Sequence, residues 1–331
     1  MDINNKKVVI GAIAATVVVV FASIIAIALQ GPNNTNNNSS TSSTSSDVTI
    51  PTSENVSRGD QPLQGDKGKR LKIMTTFYPL YEFAKAVVGD RADVDLFIPS
   101  GLEPHDWEPS ARDLERLKDY QILIYNSAAF EPYIDRVKDL GYDLKMVEAA
   151  SGIVLDQDPH VWLDPVLAKE QVRIIQGAIA SMDEEENSRY YDENAMVYTA
   201  RLDELHAKFE EGLRDCERRE FITLHAAYNY LASRYGLKQI TIAGIEPEHD
   251  IPAGKIREIV DMAKRYGIDV VYAEEGMDDR LVRALAEEMN ARVLTLSPIE
   301  VLDEEDLEEG KTYIAKMEEN LENLRLGLGC R

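Results

Sequence analysis

The sequence predicts an α/β fold with two (β/α) lobes, each built on a four-stranded parallel sheet, joined by a single long backbone helix. Short β-branched segments alternate with amphipathic helical segments from Leu71 to the C-terminus, which is typical of parallel sheets. Near the middle of this region one helical pattern is much longer than the others. A chain of 331 residues also exceeds what one compact core usually holds, which favours two lobes.

Residues 1–30 differ in composition from the rest of the chain. Lys6 and Lys7 precede an uncharged stretch, Val8 to Leu29, that is long enough to span a bilayer. A signal peptide normally has a shorter apolar region, although residues 26–28 offer a small-x-small cleavage site. We therefore expect an uncleaved membrane anchor, with a cleaved signal sequence as the alternative. Because both lysines precede the apolar stretch, the remainder of the chain is expected on the extracytoplasmic side.

The composition of residues 31–69 predicts a flexible linker. Positions 33–46 contain only Asn, Ser and Thr, and such a composition cannot bury enough apolar surface to fold. The chain's two cysteines, Cys216 and Cys330, are too far apart in sequence for a short Cys-based metal motif. A disulfide is permitted outside the cytoplasm, and the sequence leaves open whether these two residues pair.

The first lobe is predicted over residues 70–183. Its strands are expected at 71–77, 94–98, 121–125 and 144–147, with helices around 80–88, 111–119 and 131–139. Ser110, followed three residues later by Asp113, matches a capping box at the start of the second helix. Asp164 and Pro165 mark the start of a fourth helix, because Asp is favoured at the N-cap and Pro at the first helical position.

A linking helix is predicted over residues 184–217 and a second lobe over 218–331. Apolar residues from Tyr191 to Leu213 recur at spacings of three and four, which indicates a long amphipathic helix. A coiled coil fits this pattern, but a helix that lies against both lobes is favoured. In the second lobe, strands are expected at 221–224, 239–243, 268–273 and 291–296, with helices at 226–234, 253–266, 278–289 and 312–328.

The strongly acidic composition argues against nucleic acid as a partner. The formal net charge is −23, from 59 acidic and 36 basic residues. Such a charge repels phosphate backbones and anionic lipids.

Three of the five histidines fall where an α/β protein binds its ligands, beyond the carboxyl ends of the strands. His105 follows the 94–98 strand, His160 precedes the helix that begins near Asp164, and His225 ends the 221–224 strand. Each histidine alone is more typical of a surface or hydrogen-bonded residue than of a metal ligand. The sequence contains no short HxxxH or CxxC motif, so spacing alone does not show that the three segments meet.

Together the three histidine segments resemble the zinc- and manganese-binding solute proteins of ABC importers, the family sometimes called cluster 9. The first is Pro-His-Asp-Trp-Glu-Pro at 104–109, and the second, Asp-Pro-His-Val-Trp-Leu-Asp-Pro at 158–165, reproduces the family pattern in full. The third segment, 221–231, carries His225 where zinc-type members have His and manganese-type members have Glu. The resemblance extends from about Leu71 to the C-terminus.

This resemblance implies an extracytoplasmic subunit that captures Zn²⁺, with Mn²⁺ as the alternative, and delivers it to an ABC permease in the membrane. It implies a monomer with two lobes joined by a rigid helix and the metal in the cleft, with His105, His160 and His225 as ligands. Three neutral imidazoles suit zinc, whereas manganese favours more carboxylate oxygen. The implied mechanism is metal binding, partial closure of the lobes, and docking onto the permease.

The fourth ligand is where the chain departs from the family pattern. Manganese-type relatives have an Asp at the end of a late strand, and the corresponding stretch here carries Ser297. Glu274, at the end of the 268–273 strand, matches a family Glu and is a candidate fourth ligand, or a residue that orients a ligand or packs between the lobes. Water is the other candidate. Asp106, Asp158 and Asp164 are candidates for orienting the imidazoles through their second nitrogen.

Two other classes of function fit a three-histidine site. A zinc-dependent hydrolase uses three protein ligands and an activated water, and Glu274 or Glu275 could supply its general base. A surface adhesin with a structural metal would fit the anchor and the linker. No other sequence feature indicates a reaction, so we predict a protein that is not an enzyme.

Overall fold

The computed structural model describes residues 70–154, 158–245, 251–275, 278–302, 306 and 309–331. The predicted anchor at 1–30 and the predicted linker at 31–69 therefore lie outside the described residues. No helix in the described part of the chain is both long enough and apolar enough to cross a membrane.

The first sheet contains four parallel strands in the order β2-β1-β3-β4. They are β1 (Lys72–Thr75), β2 (Asp93–Leu96), β3 (Ile122–Tyr125) and β4 (Lys145–Glu148). In the central strand β1, Ile73 is in register with Val94 on one side and Ile122 on the other. All four residues of β3 are buried, as expected for a parallel sheet covered on both faces.

Five helices accompany and follow this sheet: α1 (Tyr78–Val88), α2 (Ala111–Arg116), α3 (Ile134–Asp139), α4 (Pro165–Ala180) and α5 (Glu185–Gly212). The predicted capping box is present at α2, where Ser110 accepts a hydrogen bond from Asp113 N and the Asp113 side chain accepts one from Ser110 N. The Asp164 carboxylate caps α4 by accepting from Val166 N, and Pro165 occupies the first position of that helix. These caps set where the loops before α2 and α4 end.

The second sheet repeats the topology of the first, with parallel strands in the order β6-β5-β7-β8. Its elements are β5 (Glu220–Thr223), α6 (Asn229–Arg234), β6 (Lys238–Thr241), α7 (Ala253–Tyr266), β7 (Val270–Ala273), α8 (Arg280–Met289), β8 (Arg292–Thr295) and α9 (Tyr313–Leu328). Helix α9 packs closely on the sheet because Gly327 faces Tyr272 of β7, where a Cβ atom would lie 2.0 Å from the tyrosine oxygen.

The long helix α5 packs on both lobes. It contacts α1 and α4 of the first lobe and α9 of the second. Its buried residues belong to the largest apolar cluster, which continues from the first lobe through α5 into the second; they are Tyr191, Ala195, Tyr198, Leu202, Leu205 and Phe209. The helix therefore lies against both lobes, as expected, and the alternative of a coiled coil is wrong.

The predicted α/β class, with two four-stranded parallel sheets and a long connecting helix, is confirmed. The largest difference in strand length is at β1, expected over 71–77 and found over Lys72–Thr75. It ends early because the chain turns after Thr75 to begin α1, with Pro79 near the helix start.

Polar contacts also join the two lobes. Arg234, at the end of α6, donates from Nε to both carboxylate oxygens of Asp164 at 2.7 and 2.6 Å. The Trp162 indole N–H donates to the carbonyl of Pro298 at 2.8 Å. Because Asp164 and Trp162 belong to the segment that carries His160, these contacts hold that segment against the second lobe.

A disulfide joins Cys216, which follows α5, to Cys330, which follows α9. The two cysteines are separated by 114 residues, and they also form an isolated antiparallel bridge. The disulfide therefore encloses nearly all of the second lobe.

Reducing this disulfide is expected to destabilise the protein substantially. Closing a loop of 114 residues restricts the unfolded chain, and the chain-entropy model gives about 5 kcal/mol for a loop of that size. Urea unfolding followed by circular dichroism, with and without a reductant, measures the difference. The Cys216→Ser/Cys330→Ser double variant is the control, because its stability should not respond to the reductant. Equal midpoints for the oxidised and reduced protein would contradict the expectation.

Candidate metal centre

His105 lies in the loop between β2 and α2. Its backbone N–H donates to Glu103 Oε1 at 3.2 Å, and its ring packs edge-on against Phe130 with the ring centroids 4.8 Å apart. The side chain is almost fully buried. These contacts direct the imidazole inward from the end of the first sheet.

His160 lies between β4 and the 3-10 turn Val161–Leu163 that precedes α4. Asp158 Oδ1 accepts from the His160 backbone N–H at 3.1 Å and lies 2.7 Å from His160 Nδ1. Two residues of the second lobe contact Asp158 in turn: Asn229 Nδ2 donates to Oδ2 at 3.0 Å, and the Tyr230 hydroxyl donates to the backbone carbonyl at 2.9 Å. Asp158 thus fixes the orientation of the His160 ring.

His225 lies two residues beyond β5 and is fixed by Glu274, which directly follows the neighbouring strand β7. Glu274 Oε1 accepts from the His225 backbone N–H at 3.0 Å, and Oε2 lies 2.5 Å from His225 Nδ1. With Nδ1 engaged, only Nε2 of this imidazole remains available as a metal ligand.

The three Nε2 atoms converge on one carboxylate oxygen, Glu300 Oε1. The distances to that oxygen are 3.5 Å from His105, 3.4 Å from His160 and 3.8 Å from His225. These four atoms all lie within 4.8 Å of one another, and each is buried without a hydrogen-bond partner among the described residues. Buried polar atoms are normally paired, so four such atoms facing one another indicate a site for a cation.

Glu300 reaches this position through an unusual backbone conformation. It lies five residues beyond β8, and the preceding residue, Ile299, has a φ of 59°. A β-branched residue in this left-handed region is strained, at a cost of order 1–3 kcal/mol. Ile299 is also fully buried, so the surrounding packing holds the conformation.

The charges of the site depend on one another. Burial alone would raise the pKa of Glu300, but the three imidazoles hold it well below its ordinary value. Burial alone would lower the pKa of His225, but Glu274 and Glu300 raise it to about 10. The pKa of His160 is likewise raised, because Asp158 and Glu300 outweigh the effect of burial. The metal-free cluster therefore favours protons on His160 and His225 and a negative charge on Glu300.

The structure thus brings His105, His160 and His225 together, and it places Glu274 on Nδ1 of His225, outside the four converging atoms. Glu300 occupies the fourth position, for which the sequence suggested Glu274 or water. Glu300 belongs to the same stretch as Ser297, three residues further on, and a search for acidic residues just beyond the last strand would have found it.

Among the other candidates for orienting a ligand, Asp158 contacts the His160 imidazole. Asp164 caps α4, and Glu275 accepts from Lys316 Nζ at 2.6 Å.

The fold agrees with the comparisons to known proteins. Residues 73–327 match the family model for the zinc-uptake complex component A, periplasmic, or ZnuA. The chain belongs to this family. Its resemblance to the zinc-type solute proteins, first inferred from the histidine segments, is confirmed.

Two relatives illustrate the similarity within the ZnuA family. The high-affinity zinc uptake system protein ZnuA of Bacillus subtilis is 37% identical over 281 residues, which cover 78% of this chain and 88% of that protein. The zinc-binding lipoprotein AdcA of Streptococcus pneumoniae is 34% identical over 278 residues, covering 77% of this chain. The match includes only 55% of AdcA, so this chain corresponds to about half of that longer relative.

Solved structures show the same fold. The Zn(II)-bound ZnuA-like domain of Streptococcus pneumoniae AdcA is 36% identical, with a TM-score of 0.71 over 78% of this chain and 99% of the domain. The metal-dependent lipoprotein YcdH of Bacillus subtilis is 38% identical, with a TM-score of 0.71 and the same coverage of both chains.

The raised pKa of His225 should be measurable in the metal-free protein. Replacing Glu274 with Gln removes the negative charge beside Nδ1, so the pKa of His225 should fall below its value of about 10. An NMR titration that follows the imidazole signals of chelator-treated protein measures this pKa. Glu275→Gln is the matched control, because Glu275 contacts Lys316 on α9. An unchanged His225 titration in Glu274→Gln would contradict the assigned cause.

Proposed function

We propose that this protein is the extracytoplasmic metal-binding subunit of an ABC importer, which captures Zn²⁺ at His105, His160, His225 and Glu300. One observation carries the proposal: four buried donor atoms, each lacking a hydrogen-bond partner among the described residues, face a common centre. Two relatives, a zinc uptake system protein and a zinc-binding lipoprotein, support zinc as the ion that this protein carries.

The donor set suits zinc better than manganese. Zinc binds imidazole nitrogen and carboxylate oxygen at about 2.0 Å in a tetrahedron, which separates neighbouring donors by about 3.3 Å. The distances from the three Nε2 atoms to Glu300 Oε1, from 3.4 to 3.8 Å, are close to that separation. Manganese favours six ligands that are mostly oxygen, and three of the four donors here are nitrogen. Mn²⁺ is therefore the weaker candidate.

The same geometry favours binding over catalysis. Catalytic zinc sites keep one position open for water or substrate, whereas four protein donors complete the tetrahedron. Glu274, the base considered for a hydrolase, is engaged by the backbone and the ring of His225. We infer that the protein is not an enzyme. The adhesin alternative depended on the anchor and linker, outside the described residues, and is not favoured.

The four donors are divided between the lobes. His105 and His160 come from the predicted first lobe, 70–183, and His225 and Glu300 from the predicted second lobe, 218–331, with the predicted linking helix at 184–217 between them. A separation of the lobes would split the donor set into two pairs, neither of which completes a tetrahedral site. Docking on an ABC permease, by opening the cleft in this way, would release the ion.

The cellular setting follows from the same assignment. The protein acts on the extracytoplasmic side, as the periplasmic family description indicates. We propose that residues 1–30 anchor it to the membrane and that residues 31–69 act as a flexible tether. We further propose that it works as a monomer and binds no nucleic acid, in keeping with its net charge of −23.

Zinc should bind with one-to-one stoichiometry and much more tightly than manganese. Calorimetric titration of each metal into detergent-solubilised, chelator-stripped full-length protein measures both affinities. Replacing a residue that supports a metal ligand typically weakens metal binding roughly 10- to 100-fold. His225→Ala removes a ligand itself, so it should weaken zinc binding by a larger factor. Glu300→Gln should weaken it less than His225→Ala, because an amide oxygen remains a weak donor.

The control for this titration is His206→Ala. His206 lies on α5, where Nδ1 is 3.0 Å from the Tyr235 hydroxyl, and this change should leave zinc affinity unaltered. If neither metal binds the wild-type protein, or if His225→Ala binds zinc as tightly as His206→Ala, the proposed function is wrong.

Zinc affinity should fall as the pH falls, because protons compete with the ion for the imidazoles. With a pKa of about 10, metal-free His225 is protonated at neutral pH, so binding must release its proton. Titrations at pH 7.5 in buffers of different ionisation enthalpy should detect this release. Glu274→Gln should release fewer protons, since its His225 has a lower pKa. Equal zinc affinity at pH 8 and pH 5 would contradict a site built on three histidines.

A further inference from the structure

We propose that Asn320 of α9 is a positioning residue, which holds the chain segment that delivers Glu300 to the metal and thereby sets the affinity and coordination geometry of the site. The proposal rests on the proposed function, in that it takes Glu300 as a metal ligand. Asn320 forms no hydrogen bond with any of the four donor atoms, and its effect is exerted through the backbone before Glu300.

Asn320 binds both backbone groups of one residue. Its Oδ1 accepts from Ser297 N at 2.8 Å, and its Nδ2 donates to Ser297 O at 2.7 Å. The Asn320 side chain and Ser297 are both buried. Ser297 lies two residues beyond the end of β8, where strand pairing no longer holds the chain. The amide of Asn320 takes the place that a neighbouring strand would have.

The two hydrogen bonds between Asn320 and Ser297, called the clamp below, hold the segment 296–299, which contains the strained residue Ile299. The Ser297 hydroxyl accepts from the backbone N–H of Ile299 at 3.1 Å, immediately before Glu300. The Pro298 carbonyl accepts from Trp162, and the Leu296 carbonyl accepts from the Tyr228 hydroxyl at 2.7 Å. Side chains from other elements therefore hold polar groups at residues 296 to 298, and the Ser297 hydroxyl holds the backbone N–H of Ile299.

The left-handed backbone conformation of Ile299 requires this restraint. Ile299 has a φ of 59°, and this conformation persists only while its surroundings enforce it. If the segment relaxed, Ile299 would return toward negative φ and redirect the next side chain away from the imidazoles. Glu300 is the only carboxylate among the four donors, so its loss would leave three imidazoles and a position open to water. The clamp therefore favours four-coordinate zinc over ions that add further ligands.

The test compares Asn320→Ala with Asn323→Ala in the full-length protein. Asn323 lies one turn further along α9, and its Nδ2 donates to Thr295 O at 2.9 Å, so the control removes the same side chain from the same helix. Zinc affinity is measured by competition with a chromophoric chelator. Bound Co²⁺ supplies a spectroscopic readout, because four-coordinate Co²⁺ absorbs visible light much more strongly than forms with more ligands.

Asn320→Ala should weaken zinc binding by about 10-fold, as is usual for residues that support metal ligands, and should weaken the visible Co²⁺ absorption. Asn323→Ala should change neither. If a correctly folded Asn320→Ala protein matches wild type in both measurements, the clamp has no role in the site. Weakened zinc binding with an unchanged Co²⁺ spectrum would overturn the claim that the clamp sets coordination geometry.

A second variant covers the case in which Asn320→Ala does not fold. Ser297→Ala keeps the backbone clamp and removes only the hydroxyl that accepts from Ile299 N, so it should weaken zinc binding and Co²⁺ absorption in the same direction by a smaller factor. A wild-type result for Ser297→Ala would then overturn the proposal. Failure of the proposed function is distinguishable, because in that case His225→Ala and Glu300→Gln would also bind zinc like the wild type.

Discussion

The organisation of this protein depends on one buried carboxylate oxygen. Glu300 Oε1 lies among three imidazole nitrogens, and none of the four atoms has a hydrogen-bond partner among the described residues. A buried charge without a partner is costly, so this arrangement is stable only with protons or a cation between the donors. The low pKa of Glu300 and the raised pKa of His225 are two consequences of the same proximity.

Meeting this constraint requires the two lobes to support each other's donors. Asp158 orients His160 in the first lobe but is itself held by Asn229 of the second. Trp162, two residues beyond His160, binds the segment that leads to Glu300. Each half of the donor set is therefore positioned partly by the opposite lobe, and a movement that separates the lobes disturbs ligand orientation as well as ligand distance.

Sequence patterns predicted the eight strands and the long helix because hydrophobic periodicity and helix caps are local signals. Asp164 and Pro165, for example, mark the start of α4 in both sequence and structure. The three histidines were found from their positions beyond strands, together with a family motif. Glu300 was missed because its approach depends on a left-handed conformation at Ile299, which local rules do not expect of a β-branched residue. The sequence offered Glu274 as a fourth ligand or as a residue that orients one, and the contact between its carboxylate and Nδ1 of His225 becomes visible only in the structure.

The link between Cys216 and Cys330 makes nearly the whole second lobe a covalent ring. His225 and Glu300 both lie within that ring. A protease that cuts the backbone once between the two cysteines therefore produces no free fragment, since both new ends remain attached through the sulfur bridge. Extracellular proteases can cut an exposed loop of a protein outside the cell. After one such cut, His225 and Glu300 would both remain covalently joined to the rest of the molecule.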